Sequence, residues 1–125
     1  MTSFRQLYDP LKGAHYLLDR KTLVFKVSSN EVNKETRLKP YFSHILSALF
    51  AGHPQPVSYE EITNILKYNQ LACPDETRLH RKVSDLRIFL AKFHPGLDRL
   101  ISNTRGVGYS LPLHFKDPEA ACNAL

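Results

Sequence analysis

TRLHRKVSDLRIFL, residues 77–90, decides the fold. On a helical wheel Val83, Leu86 and Leu90 fall within about 40° of Leu79, a single narrow apolar seam. The opposite side carries Thr77, Arg78, Arg81, Ser84, Asp85 and Ile88, with Lys82 and Arg87 on the flanks. Asp75 precedes the run as a good N-cap, and Pro95-Gly96 follows it, so a helix is predicted from about Glu76 to Phe93. Its cations crowd the N-terminal half, where the helix dipole disfavours them. That placement suggests a use outside the helix. Arginine outnumbers lysine there, as two-pronged contacts to guanine edges or phosphates require.

Working towards the N-terminus, Ser58-Tyr59-Glu60-Glu61 has the S-x-x-E pattern of a capping box and starts a short helix with Ile62, Ile65 and Leu66 on its buried face. Before it, Phe42, Ile45, Leu46, Leu49 and Phe50 recur at three-and-four spacing, and Gly52-His53-Pro54 ends that run. The stretches 15–18, 22–27 and 31–37 read as three short strands of an antiparallel meander. Residues 1–14 read as an N-terminal extension, 15–113 as the domain and 114–125 as a polar, frayed tail.

Working towards the C-terminus, NTRGVGYSLP (residues 103–112) joins two alternating stretches, 99–103 and 108–113. An arginine beside two glycines fits a phosphate-cradling loop, a hairpin tip that reaches into something, or an ordinary turn. No helix starts after Gly108, which disfavours the first. A hairpin that follows a DNA-docking helix can lie over the adjacent groove, and an arginine near its tip is drawn to the negative potential of a narrow minor groove. Tyr109 would anchor the return strand on the core.

The bulk properties agree. A chain of 125 residues makes one domain with a real core. The net charge of +5 favours a polyanionic partner. Its excess lies in residues 1–37 and 75–109 and vanishes between them, a mild pointer to a basic face. No apolar run approaches the roughly 20 residues of a membrane span, and the first residues begin no signal-peptide pattern, so a cytoplasmic, nucleoid-associated protein is expected. Cys73 and Cys122 have no metal-ligand spacing and read as free thiols. The six histidines form no ligand pair, and no hydrolase or zinc-protease motif occurs, so neither an enzyme nor a cofactor nor a metal site is expected.

Four strings carry a family resemblance: L-x-x-x-x-x-x-I-L-x-x-L-F from Leu38, V-S-x-E-E-I from Val57, V-S-D-L-R-x-x-L from Val83 and L-I-x-N-T-R-G-V-G-Y from Leu100. Together they resemble the winged-helix DNA-binding domain of OmpR/PhoB-type bacterial transcription regulators, over roughly Tyr16 to Leu113. The resemblance implies an α+β fold, a winged helix-turn-helix with an N-terminal antiparallel β-meander, three helices and a C-terminal β-hairpin wing. It implies a sequence-specific regulator of transcription that binds double-stranded DNA, with the third helix in the major groove and Arg105 in the minor groove. Arg78, Arg81, Lys82, Ser84, Asp85 and Arg87 fall where the family faces DNA, with Asn103 at a wing phosphate contact and Thr104 beside it. Loop 68–74 matches a segment that can touch RNA polymerase, and family members commonly pair head to tail on direct repeats, so a homodimer on DNA is implied.

The chain departs from the pattern at two helix positions: Arg81 replaces a usually apolar residue and Asp85 a frequently basic one. Asp85 could accept from cytosine N4 or hold Arg81 at the i, i+4 spacing, and the second is the expectation. No receiver domain precedes the meander, so a stand-alone regulator or an excised domain is expected. The competing function is a winged-helix protein-interaction module that modulates another regulator or RNA polymerase without binding DNA.

Overall fold

The computed structural model describes residues 4–72 and 75–117. Cys73, Pro74, Cys122 and the tail beyond 117 lie outside the described residues, and with them the thiol expectation and part of the 68–74 loop.

Four antiparallel strands come first, in sequential order: β1 (Phe4–Asp9), β2 (Ala14–Asp19), β3 (Val24–Ser28) and β4 (Asn33–Arg37). Alternate residues of the middle strands face inward. Ala14, Tyr16 and Leu18 of β2 and Phe25 and Val27 of β3 are buried, and the register sets Tyr16 opposite Val27 and Leu18 opposite Phe25. Strand β1 falls within the stretch expected to be an extension. Its inward positions are Leu7 and Asp9, and a carboxylate breaks the apolar alternation that announces a strand. Asp9 is nonetheless satisfied, accepting the backbone N–H of Leu11 at 2.9 Å and a hydrogen bond from His114 Nε2 at 3.1 Å.

The described part of the stretch expected to be a tail is likewise packed on the domain. Phe115 is buried and stacked on Tyr16, while Lys116 exchanges two backbone hydrogen bonds with Tyr8. Residues 114–117 thus close over the first strand.

Helix α1 (Pro40–Gly52) buries Phe42, Ile45, Leu46, Leu49 and Phe50, the predicted face. A two-residue strand, β5 (Val57–Ser58), leads directly into α2 (Tyr59–Tyr68), and the Ser58 hydroxyl accepts the Glu61 N–H at 3.1 Å. Helix α2 ends without glycine or proline. Gln70 takes the left-handed conformation, φ 62°, the Leu71 N–H donates to the Leu66 carbonyl and the Gln70 N–H to that of Lys67. This paired closure satisfies the last carbonyls of the helix.

Helix α3 (Glu76–Phe93) has the predicted limits, with the Asp75 carboxylate accepting the Arg78 N–H at 2.8 Å. Leu79, Val83, Leu86 and Leu90 are fully buried. Each contributes about 1.5–3 kcal/mol by leaving water. Next, Leu97–Leu100 forms a 3-10 turn that buries Leu97 and Leu100, where alternation predicts that a strand begins at Arg99. Strands β6 (Ser102–Thr104) and β7 (Gly108–Ser110) form the hairpin, and β7 pairs on its other side with β5 in the order β5-β7-β6. Through β5 the wing is stitched to the start of α2.

Candidate nucleic-acid interface

The outer face of α3 is free of the core. Arg78, Arg81, Ser84, Asp85 and Ile88 are exposed, and among the described residues no carboxylate pairs with Arg78, Arg81 or Arg105. An arginine left without an internal partner keeps its five donors available to a ligand.

The wing tip is built on a tight turn. The Val107 N–H donates to the Thr104 carbonyl at 2.9 Å and Gly106 has φ 77°, a backbone state that glycine adopts without strain. Arg105, exposed, therefore sits at the turn's leading corner. Gly108 serves a different need, because a Cβ there would lie 2.6 Å from the Val57 carbonyl carbon. One glycine sets the turn and the other lets two strands approach.

Between α3 and the wing lies an open groove of about 400 Å³, whose lining includes His80, Ser84, Arg87, Asn103 and Arg105. Its floor is an aromatic cluster: Tyr59 meets His80 and Tyr109 edge-on, with ring centroids 4.8 and 5.4 Å apart. The Tyr59 hydroxyl donates to Asn103 Oδ1 and to the Thr104 carbonyl, so the start of α2 holds the wing strand. Tyr109 and His80 Nδ1 are hydrogen-bonded, and His80 Nε2 meets Glu76 Oε1 at 3.2 Å. Burial raises the Tyr109 pKa, reinforced by Tyr59 and Glu76 against the opposing effect of Arg87, so the phenol stays protonated. The two ring nitrogens of His80 thus tie the start of α3 to the return strand of the wing.

Comparison with solved structures places this arrangement. The chain matches the C-terminal domain of the nisin resistance regulator NsrR, described as a lantibiotic response regulator, at 32% identity over 77% of this chain and 90% of that one, with a TM-score of 0.57. The chain belongs to the OmpR/PhoB-type family of winged-helix DNA-binding domains. The same fold appears in the DNA-binding domain of the response regulator AdeR, solved in complex with an intercistronic region, at 23% identity, TM-score 0.64, over 77% of this chain and 92% of that one. It appears again in the DNA-binding domain of Escherichia coli CadC, at 17% identity, TM-score 0.62, over 90% and 95% of the two chains. No family model matches the chain, and no curated protein does.

Within this OmpR/PhoB-type domain the predicted site residues divide among three surfaces. Arg78 and Arg81 stand on the outer face of α3. Ser84, Asn103 and Arg105 share the wing-side groove. Lys82 and Asp85 turn to a second groove beside α1, where the Lys82 ammonium lies 4.5 Å from the centre of the Tyr41 ring.

One expectation needs correction. The Arg81–Asp85 ion pair is not formed, since no salt bridge joins the two and Asp85 belongs to the α1 side. Arg87, expected on the flank of the helix, lines the wing-side groove and turns its donors towards the wing. Its Nε and Nη2 donate to the Ile101 carbonyl at 3.3 and 3.0 Å, and the guanidinium carbon lies 5.7 Å from the centre of the Tyr109 ring. Arg87 is half-buried and fastens the wing to α3. The residues that the sequence did not single out are Tyr59, Glu76 and His80. Only the i, i+4 spacing of Glu76 and His80 hints at their pairing.

Proposed function

We propose that the chain is a sequence-specific regulator of transcription that binds double-stranded DNA, with α3 in the major groove and the wing arginine in the minor groove. The observation that carries this is the exposed α3 face, with Arg78 and Arg81 free of internal partners, flanked by a wing whose tip presents Arg105. Arg81 serves as the base reader and Arg78 as a phosphate or base contact. Ser84 and Thr104 contribute short polar contacts at the groove. Asn103, whose Oδ1 is engaged by Tyr59, offers its amide N–H groups to a phosphate. Lys82 contacts the backbone, and Arg87 acts indirectly by seating the wing.

Selection of bound duplexes from a random pool, followed by a salt titration on the recovered sequence, tests this. Binding through several phosphates weakens with a log–log slope of about −0.9 per phosphate neutralised. Arg81→Ala costs roughly 1–3 kcal/mol at one or two base positions. Arg105→Ala lowers affinity and relaxes the preference for A·T-rich flanks, because width and potential are what a minor-groove arginine reads. A recovered direct repeat supports head-to-tail pairing of two copies.

The protein-interaction alternative draws on two exposed side chains, Tyr68 at the end of α2, 88% exposed, and Ile88 on α3, 56% exposed. Tyr68 opens the 68–74 loop and is the side chain we assign to an RNA polymerase contact. A shallow salt slope with no recovered sequence motif would favour the interaction module over the DNA-binding regulator.

A further inference from the structure

The second groove, about 310 Å³, separates the start of α1 from α3 and is lined by Lys39, Tyr41 and Phe42 on one side and by Lys82, Asp85, Ile88, Phe89 and Lys92 on the other. We propose that this groove seats the phosphodiester strand on the far rim of the major groove from the wing, with Lys39, Lys82 and Lys92 as its cations. The proposal rests on the DNA-binding reading above and adds a contact surface to it.

Charge comes first. Three ammonium groups face one carboxylate, and among the described residues none of the three is in a salt bridge. The first turn of α1 carries no acidic residue and no side-chain cap, so its field adds to theirs. Apolar walls from Phe42 and Phe89 concentrate that field. The residue type is also informative. The base-facing side of α3 uses arginine, whereas this groove uses only lysine, which suits phosphate as a point charge and carries no two-pronged geometry for base edges.

Position comes next. Asp85 and Ile88 belong both to the groove and to the exposed face of α3 that bears Arg81, so the groove opens on the same side as the proposed DNA surface. A helix with its side chains is about 10–12 Å across, and the major groove is roughly 12 Å wide. A helix lying in it fills the width and meets a phosphate rim on each flank. The wing-side groove meets one rim and this groove meets the other. Lys82 is already held for the task by the Tyr41 ring, and Tyr41 is itself anchored by its hydrogen bond to the Ala72 carbonyl.

The test compares salt titrations of the wild-type chain, Lys39→Gln/Lys92→Gln, and a control with equal charge loss at two lysines that line neither groove, Lys12→Gln/Lys116→Gln, on one duplex recovered by selection. Circular dichroism confirms that each folds. Loss of two phosphate contacts makes the log–log slope shallower by about 1.8, so affinity falls roughly tenfold less than wild type between 50 and 200 mM salt. Base preference stays unchanged. A slope equal to wild type, or the same change in the control pair, overturns the proposal while leaving DNA binding intact. A wild-type chain with no salt-sensitive duplex binding overturns both. An unchanged duplex slope with lost binding to polyglutamate would give the groove to an acidic protein instead, and would equally overturn it.

Discussion

Gly108→Ala should detach the wing. The added Cβ would sit 2.6 Å from the Val57 carbonyl carbon, nearer still to its oxygen, and 3.0 Å from the Ser58 Cα. These are backbone atoms, so no side chain can swing away, and β7 must withdraw from β5 by about an ångström to reach ordinary contact. The pairs Val57↔Tyr109 and Ser58↔Gly108 are the whole of that strand pairing, and the withdrawal would disturb both. Overpacking typically costs 1–3 kcal/mol, and an obstacle made of backbone puts this case near the upper end, about 3 kcal/mol. For a domain of this size each kcal/mol lowers Tm by roughly 3–6 °C, so a fall of about 10–15 °C is expected by calorimetry. Gly106→Ala provides the contrast. It meets open space and suffers only the left-handed strain of φ 77°, about 1–2 kcal/mol, confined to the tip. A Gly108→Ala protein that melts within about 2 °C of wild type, or above Gly106→Ala, would refute the close-approach argument.

Arg87→Met keeps the aliphatic stem but leaves the Ile101 carbonyl without its charged donor, and should cost about 1.5–3 kcal/mol in urea unfolding while weakening DNA binding through wing displacement. Gln70→Gly relieves a left-handed residue at the end of α2, and the relief, about 1–2 kcal/mol less the 0.5–1 kcal/mol entropic penalty of glycine, should raise the urea midpoint. Burial raises the Tyr16 and Tyr109 pKa values above 10.0, so the unfolded phenols ionise first. Stability is full below about pH 10 and falls as pH rises beyond it, and Tyr16→Phe should flatten part of that decline in a Tm series. His44, lowered from 6.5 by burial, acts at the other end, with stability present above that value and lost as pH falls below it, a decline that His44→Gln should reduce.

The parts of the fold that sequence made legible are those whose energetics are local. The limits of α3 follow from a cap and a seam that lie within one stretch, and the Ser58 cap likewise announces α2. Strand β5 is two residues long and exists only because β7 arrives beside it, so no periodicity can reveal it. Strand β1 hides behind Asp9, whose burial is made tolerable by His114 from the opposite end of the chain. The 3-10 turn was open to a finer reading, since Leu97 and Leu100 are three apart and both buried, a spacing that a strand does not place on one face. Among the site residues, the exposed positions of α3 follow from the wheel alone. Arg87 does not, because its angle makes it a flank residue and only the Ile101 carbonyl decides which way it turns.

That last residue shows why the two halves of the proposed interface act together. Helix α3 reaches the wing through Arg87 to Ile101 and through His80 to Tyr109, while α2 reaches it through Tyr59 to Asn103 and Thr104. The links converge on aromatic rings that pack edge to face, an arrangement with little freedom to slide. In the proposed complex, a wing held at several points to α3 cannot shift its strands towards the minor groove without carrying that helix with it. Under the proposed docking, DNA whose minor groove is displaced or widened relative to the base-reading site is refused on geometric grounds even where every base is correct, so the free energies of shape readout and base readout are coupled rather than additive.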